Sequence, residues 1–248
     1  MIWSNGGMST HAQCSRHSVP LVLLPGLDGT GILFEPLRAA LGPTVDTIVV
    51  RYPADPTLGY QELQSVAQSA LPTDRPFVLL GESFSGPIAI RLAASSPPGL
   101  RGLVLAVSFA SNPYPLLGWM RWCMPAGSTR SARHGMRYVM MLGNERPPAL
   151  MPLIDQSQAA INGGIIRKRV VEMLGVDSRA DLARVDVPVL SIRARRDRLV
   201  PASNGRIIDA TARTVRRVDI DGPHMLLQTR AAEAAVHIRR FIDEVAGS

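Results

Sequence analysis

The hexapeptide Gly81-Glu82-Ser83-Phe84-Ser85-Gly86 joins an apolar run, Phe77-Val78-Leu79-Leu80, to a stretch with helical spacing that continues Pro87-Ile88-Ala89-Ile90. A serine on so tight a strand-to-helix turn sits in a strained backbone conformation with its Oγ projecting, and it requires small residues two before and two after it. Gly81 and Ser85 satisfy that requirement, and Gly86 allows the helix to pack closely. The first N–H groups of the helix then face whatever Ser83 attacks, where the helix dipole favours negative charge. An ordinary Ser-rich helix N-cap reads the same way from these residues alone.

A second turn, Gly26-Leu27-Asp28-Gly29-Thr30-Gly31, follows the run Val19-Pro20-Leu21-Val22-Leu23-Leu24-Pro25. Glycine-rich turns let backbone N–H groups face a ligand. The N–H of Leu27 can join that of Phe84 in an oxyanion hole for a tetrahedral intermediate. A phosphate loop would end in Gly-Lys-Ser/Thr, which is absent, and Asp28 would repel phosphate; a plain strand-to-helix turn is the other alternative.

Two more polar residues follow apolar runs. Asp197 stands in Arg195-Arg196-Asp197-Arg198-Leu199-Val200-Pro201 after the run 187–193, and His224 in Asp221-Gly222-Pro223-His224-Met225-Leu226 after the run 214–220. The order Ser, Asp, His is the one expected with a Gly-x-Ser-x-Gly elbow. In that arrangement His224 takes the Ser83 proton as general base, and Asp197 holds the imidazole in the right tautomer. Singly, an Asp among arginines is an ordinary surface ion pair and a His in a turn is ordinarily solvated. Rivals are poor, because His11 and His17 lie near the start, His134 in a long interval between strands, and His237 inside an amphipathic stretch.

Positioning these four turns requires a sheet. Runs at about 19–25, 46–52, 76–81, 102–108, 187–193 and 214–220 read as strands, and 33–41, 59–70, 84–95, 202–211 and 228–245 as helices between them. Most of the runs are apolar on both faces, which suits a parallel sheet covered on both sides. The expectation is an α/β fold: a mostly parallel central sheet of about six strands with helices on both faces. Between 108 and 187 the alternation stops, and segments 115–123, 131–142, 148–161 and 164–174 carry apolar residues at helical spacing. A loop that long needs structure of its own. The chain therefore divides into a loose N-terminal segment at 1–17, a core at 18–111 and 187–248, and a helical insertion at 112–186. Trp119, Trp122, Met136, Met140, Met141, Leu150 and Ile154 are more apolar bulk than short helices need to pack on each other; they are expected to line an acyl pocket, with ordinary core as the alternative.

Composition removes other classes. The 248 residues are 46% hydrophobic and 19% charged, enough to bury a sizeable core. The apolar runs at 19–27 and 102–110 are interrupted after fewer than ten residues, against about 18 for a membrane-spanning helix, so no membrane span is expected. Cys14 and Cys123 offer neither a metal cluster nor a disulfide framework, so no metal and no organic cofactor are expected, and a reducing, cytoplasmic setting fits. The start lacks the apolar core of a secretory signal, and Met8 can serve as an alternative start. The formal net charge of +7 invites a polyanion. Yet residues 1–111 carry six Arg against seven acids, 112–186 nine Arg and Lys168 against six, and 187–248 eleven Arg against seven. With 26 Arg, one Lys and 5% aromatics, this reads as a preference for Arg over Lys, and no nucleic-acid partner is expected. Arg130, Arg133 and Arg137 share a helical face that can receive an anionic substrate or an acidic acyl carrier; a solvated, partnerless surface is the alternative.

Together LLPGLDGTG, GESFSG, RRDRLVP and DGPHMLL resemble the α/β-hydrolase superfamily from about residue 18 to the C-terminus, and PGLDGTG is similar to a subgroup of small bacterial esterase-like hydrolases and related plant phytyl-ester enzymes. The resemblance implies that 112–186 is a cap roofing the site. Pro25 departs from the His often found before the oxyanion Gly, Ser85 from the second Gly of the elbow, and the usual eight-stranded sheet would be trimmed to six. The resulting expectation is a serine hydrolase cleaving carboxylic esters, a carboxylesterase-like enzyme with a small-molecule acyl ester as substrate. An acyl thioesterase or acyltransferase on the same residues, or a catalytically silent ligand-binding member of the fold, are the alternatives.

Overall fold

The computed structural model describes residues 19–117 and 138–247. In chain order its elements are β1 (Leu21–Leu24), α1 (Glu35–Leu41), β2 (Thr47–Val49), α2 (Tyr60–Ser69), β3 (Phe77–Glu82), α3 (Gly86–Ala94) and β4 (Leu100–Ala106). After them come α4 (Met151–Ala159), α5 (Gly163–Met173), α6 (Arg179–Leu182), β5 (Val189–Ala194), α7 (Ala202–Thr211), β6 (Val215–Ile220), α8 (Leu226–Thr229) and α9 (Ala231–Ala246). Short 3-10 turns at Ile32–Phe34 and Ser83–Ser85 lead into α1 and α3.

Alternation within each strand makes the sheet two-sided, because successive side chains of a strand point to opposite faces. Val22 and Leu24 of β1, Phe77 and Leu79 of β3, and Leu103 and Leu105 of β4 join one buried cluster, with Leu63 of α2, Ile88 of α3 and Ile208 of α7. Their neighbours Leu21, Leu23, Val78, Leu80, Val104 and Ala106 join the other, with Leu37 of α1 and Ile238 of α9. The strands can be apolar throughout because helices cover both faces. In α9 a run of good helix formers places Ile238, Phe241, Ile242 and Val245 on one buried stripe, each such burial contributing about 1.5–3 kcal/mol.

Among the described residues all six strands are parallel, in the order β2-β1-β3-β4-β5-β6, with β2 and β6 as the edges of the sheet. The sheet and its six strands agree with the expectation from sequence. From β1 the chain goes to β2 on one side and then to β3 on the other, so the order reverses between β1 and β3. A crevice opens beyond the carboxyl ends of strands at such a reversal, and ligands collect there.

Three local features differ from the expectation. The single helix expected at 228–245 is two, α8 and α9, broken where Arg230 leaves helical geometry at φ −128°, ψ 36°. The helix expected to begin at 84 begins at Gly86 after its 3-10 turn, and α6 was not anticipated. Between β4 and β5 the described residues form a 3-10 turn at Pro115–Leu117, a helical stretch at 138–142, and α4, α5 and α6. Asn162 caps α5 by accepting the N–H of Ile165 at 3.0 Å. Leu142, Leu150 and Ile154 of this interval pack on Leu33 and Met225 in a third, smaller core.

Candidate active site

At the carboxyl end of β3 the backbone turns on Ser83, whose φ is +47°. That left-handed conformation is costly for a residue with a side chain. What over-determines it is the close approach of α3 to β3. A Cβ on Gly81 would lie 2.7 Å from the Cβ of Ala89 and 2.8 Å from the Ser85 carbonyl oxygen, and one on Gly86 would run into Ser108. Ser108 Oγ donates to the Ser83 carbonyl at 2.6 Å. Ser85, in the place where a second glycine is common, is fully buried and productive: its Oγ donates to the Pro25 carbonyl and accepts from Tyr52 Oη at 2.8 Å. The elbow is thereby tied to the turn that follows β1. Phe84 stacks on Tyr60 at 4.6 Å, and Tyr60 Oη donates to the Phe84 carbonyl at 3.0 Å.

The three residues singled out from sequence meet although they follow three different strands. Ser83 Oγ lies 2.9 Å from His224 Nε2, and His224 Nδ1 lies 2.8 Å from Asp197 Oδ2. The other Asp197 oxygen accepts the N–H groups of Leu199 and Val200, both at 2.8 Å. These bonds assign the tautomer: Nδ1–H donates to the carboxylate, which leaves Nε2 free to accept the serine proton. His224 is only 8% exposed. Burial pulls its pKa down, but the charge of Asp197, the hydrogen bond to it and the nearby Glu82 together raise it above the ordinary histidine value. A hydroxyl held against an imidazole that is itself held by a buried carboxylate can lose its proton as it attacks a carbonyl.

Gly26, Leu27 and Phe84, the oxyanion candidates and their neighbour, border a cavity of about 460 Å³ that also receives Ser83 and His224. Its walls are largely apolar. Phe109, Met140, Met141, Ile154, Ile166 and Val170 are among them, and α4 and α5 supply one side. Of the expected pocket residues, Met140, Met141 and Ile154 line this cavity, while Leu150 is buried in the small core beside it. Trp119, Trp122, Met136 and the arginines Arg130, Arg133 and Arg137 lie outside the described residues.

Several neighbours of the site were not anticipated. Glu82, 7% exposed and directly before Ser83, accepts from Gln228 Nε2 at 2.8 Å. Burial pushes its carboxyl up to about 7, despite the Gln228 bond. Ser157 of α4 donates to Asp28 Oδ2 at 3.0 Å, and Arg169 of α5 reaches the carbonyls of Leu27 and Asp28. Among the described residues no group of three or more His, Cys, Asp or Glu side chains is arranged to hold a metal ion, and no helix is long and apolar enough to cross a membrane.

Residues 21–237 match the model of a family described as Alpha/beta hydrolase family. Among solved structures, a lipase-esterase related protein from Clostridium acetobutylicum aligns with a TM-score of 0.75 and 16% identity, over 91% of this chain and 95% of that one. An esterase from Exiguobacterium antarcticum aligns with a TM-score of 0.72 and 16% identity, over 91% and 92%. Of curated proteins, the AMB antimetabolite synthetase AmbE of Pseudomonas aeruginosa is 27% identical over 254 aligned positions, covering 92% of this chain. This chain spans only 11% of that protein's length.

Proposed function

The chain belongs to the alpha/beta hydrolase family, and from that premise we propose that it cleaves carboxylic esters through an acyl-enzyme at Ser83. As Ser83 Oγ bonds to the ester carbonyl carbon, its proton passes to His224 Nε2. Asp197 steadies the imidazolium that results. The oxyanion of the tetrahedral intermediate is received by the N–H groups of Leu27 and Phe84. Its collapse breaks the bond to the leaving alkoxide, which takes the proton from His224. Water then gives a proton to His224 and attacks the acyl carbon, and the carboxylic acid departs as Ser83 recovers its proton. The segment 112–186 acts as the cap, contributing the apolar wall that holds the acyl chain.

The observation that carries this reading is the unbroken run of hydrogen bonds from Ser83 through His224 to Asp197, at 2.9 and 2.8 Å, opening on an apolar cavity of about 460 Å³. It is tested with p-nitrophenyl esters of increasing chain length, measured on the wild-type protein and on Ser83→Ala. Activity that rises beyond acetate and vanishes in the folded Ser83→Ala protein is the expected result; near-wild-type rates in that variant exclude the mechanism. Labelling of Ser83 by a fluorophosphonate separates a hydrolase from a silent binding protein of the same fold.

A second reading keeps the same residues: the acyl group arrives as a thioester, from an acidic acyl carrier, and is hydrolysed or transferred. The acyl-enzyme is the same until the acceptor arrives. A kcat/KM for acyl thioesters well above that for oxygen esters of equal chain length selects this second reading, and the reverse selects the first.

A further inference from the structure

Among the described residues Arg169 is the largest fully buried side chain, at 2% exposure, and it comes from α5, in the segment between β4 and β5. Its Nη1 donates to the carbonyls of Leu27 at 2.9 Å and Asp28 at 2.7 Å, its Nη2 donates to the carbonyl of Pro53 at 3.3 Å, and the guanidinium lies over the Tyr52 ring at 5.7 Å. The hydrogen-bond acceptors are backbone oxygens rather than a carboxylate. The Asp28 carboxylate favours the cation through its charge, but burial opposes it more strongly, and an apolar side chain would fill the same space at less cost. Packing therefore does not account for this arginine.

What it holds is the turn after β1. The Gly26 carbonyl accepts the N–H of Gly29 at 3.0 Å. In a trans peptide the N–H points away from its carbonyl, so that bond directs the N–H of Leu27 to the opposite side of the turn. With Arg169 on the next two carbonyls, three successive peptide oxygens are engaged and the turn cannot rotate without breaking several bonds. Gly29, at φ +73°, is also required by this contact, since a Cβ there would lie 2.8 Å from the guanidinium carbon. A second tie comes from α4, where Ser157 Oγ donates to Asp28 Oδ2 at 3.0 Å. The Pro25 carbonyl, one residue before the turn, is held by Ser85 of the elbow.

We infer that Arg169 is a positioning residue whose guanidinium, bonded to the Leu27 and Asp28 carbonyls, sets the Leu27 N–H for the oxyanion, so that seating of α4 and α5 on the turn completes the oxyanion hole. The inference rests on the ester-hydrolase reading. It predicts a coupling: a substrate that displaces these helices weakens stabilisation of the tetrahedral intermediate without touching Ser83, His224 or Asp197.

The test compares wild type with Arg169→Lys, which keeps a buried cation but whose single nitrogen stops one bond short of the position of Nη1 and cannot also serve the Pro53 carbonyl. Arg169→Met and Ser157→Ala are added in case the lysine variant does not fold. Expected for a folded Arg169 variant is a kcat about 10²-fold lower, as for a lost or misplaced oxyanion donor, with KM changed less than about threefold. Ser157→Ala, losing one of the two ties, is expected to lose kcat in the same way by a smaller factor. The discriminating readout uses two inhibitors of equal chain length. A trifluoromethyl ketone accepts Ser83 Oγ at its carbonyl carbon and forms an oxyanion, and its affinity should fall in step with kcat. The corresponding ether, which forms none, should bind unchanged. Folded variants with undiminished kcat overturn the inference, and so does an ether whose affinity falls with that of the ketone, which would make Arg169 a wall of the pocket. Undiminished turnover in the variants beside an active, fluorophosphonate-labelled wild type overturns this inference alone. A wild type that is neither labelled nor active overturns the ester-hydrolase reading and this inference with it.

Discussion

Replacing Asp197 by Asn separates the shape of the site from its charge. The Leu199 and Val200 N–H groups, both 2.8 Å from Oδ1, fix which way the new side chain points, because only its oxygen can accept them. The amide NH2 then takes the place of Oδ2, facing His224 Nδ1. Two donors cannot share a bond, so the imidazole moves its proton to Nε2, where it faces Ser83 Oγ at 2.9 Å and can no longer accept the serine proton. For stability, two hydrogen bonds to a charged acceptor become bonds to a neutral one, a loss of roughly 1 kcal/mol each. A total of about 2 kcal/mol lowers Tm by roughly 4–8 °C in a protein of this size. The expected loss in kcat is about four orders of magnitude, equivalent to roughly 5 kcal/mol of barrier, so chemistry suffers more than folding.

The pH dependence carries a sign. His224 is held above its ordinary pKa by Asp197, against the effect of burial. In the wild type the neutral base accumulates only above that raised value. In Asp197→Asn burial acts with less opposition, so the acid limb of the residual kcat/KM moves to lower pH. Because a raised histidine pKa stabilises the fold below the unfolded-state value, near pH 6.5, and this contribution fades as pH rises through the folded-state pKa, the variant's stability deficit is larger at pH 5 than at pH 9. Stopped ester assays across pH and thermal melts at the two extremes measure both effects. An Asp197→Asn protein within tenfold of wild type, or an acid limb that stays in place, refutes the reasoning.

Ser83→Ala and His224→Ala are each expected to lower kcat by about 10⁶-fold, more than Asp197→Asn, since the residues act as a unit; steady-state assays with active-site titration rank the three. Glu82→Gln tests the buried carboxyl: with its pKa raised to about 7, Glu82 favours the fold at low pH and loses that contribution as pH rises through 7. The variant should therefore gain stability relative to wild type between pH 5 and pH 8 in urea melts; a constant difference across that range would contradict the assignment. Gly81→Ala should cost about 1–3 kcal/mol by overpacking against Ala89 and the Ser85 carbonyl, and it should lower kcat further than its stability loss explains by displacing Ser83.

The sheet was readable in the sequence because each strand is an apolar run closed by a turn, and buried parallel strands leave that mark. The meeting of Ser83, Asp197 and His224 was readable for a related reason: each follows such a run in a short, Gly- or Pro-bearing turn, and strands parallel in one sheet bring those turns to the same edge. Arg169 was not readable as a buried residue, since Ile165-Ile166-Arg167-Lys168-Arg169-Val170 looks like any helix with a solvated basic face. The one available signal is its place four residues after the buried Ile165 and four before Met173, on the stripe that packs inward. Its acceptors are backbone carbonyls in a turn about 140 residues earlier, which no side-chain pattern reports. Glu82 was hidden similarly, as the unspecified position of the elbow. The break at Arg230 has no helix-breaking residue beside it to announce it in the sequence.

The two edges of the sheet bear on how the molecule meets others of its kind. An edge strand presents unpaired N–H and C=O groups on which another strand can add. β2 is three residues long and gives such a strand little to follow. β6 is twice that length, but it carries Arg216, Arg217 and Asp219, with Arg216 bonded to Glu244 of α9 at 2.8 Å and Arg217 to Asp219 at 2.6 Å. A strand docking there would have to strip water from these charges and disturb their pairing. Part of the arginine surplus that net charge alone would assign to a polyanion thus serves, on the last strand of the sheet, to keep a second chain from adding a seventh.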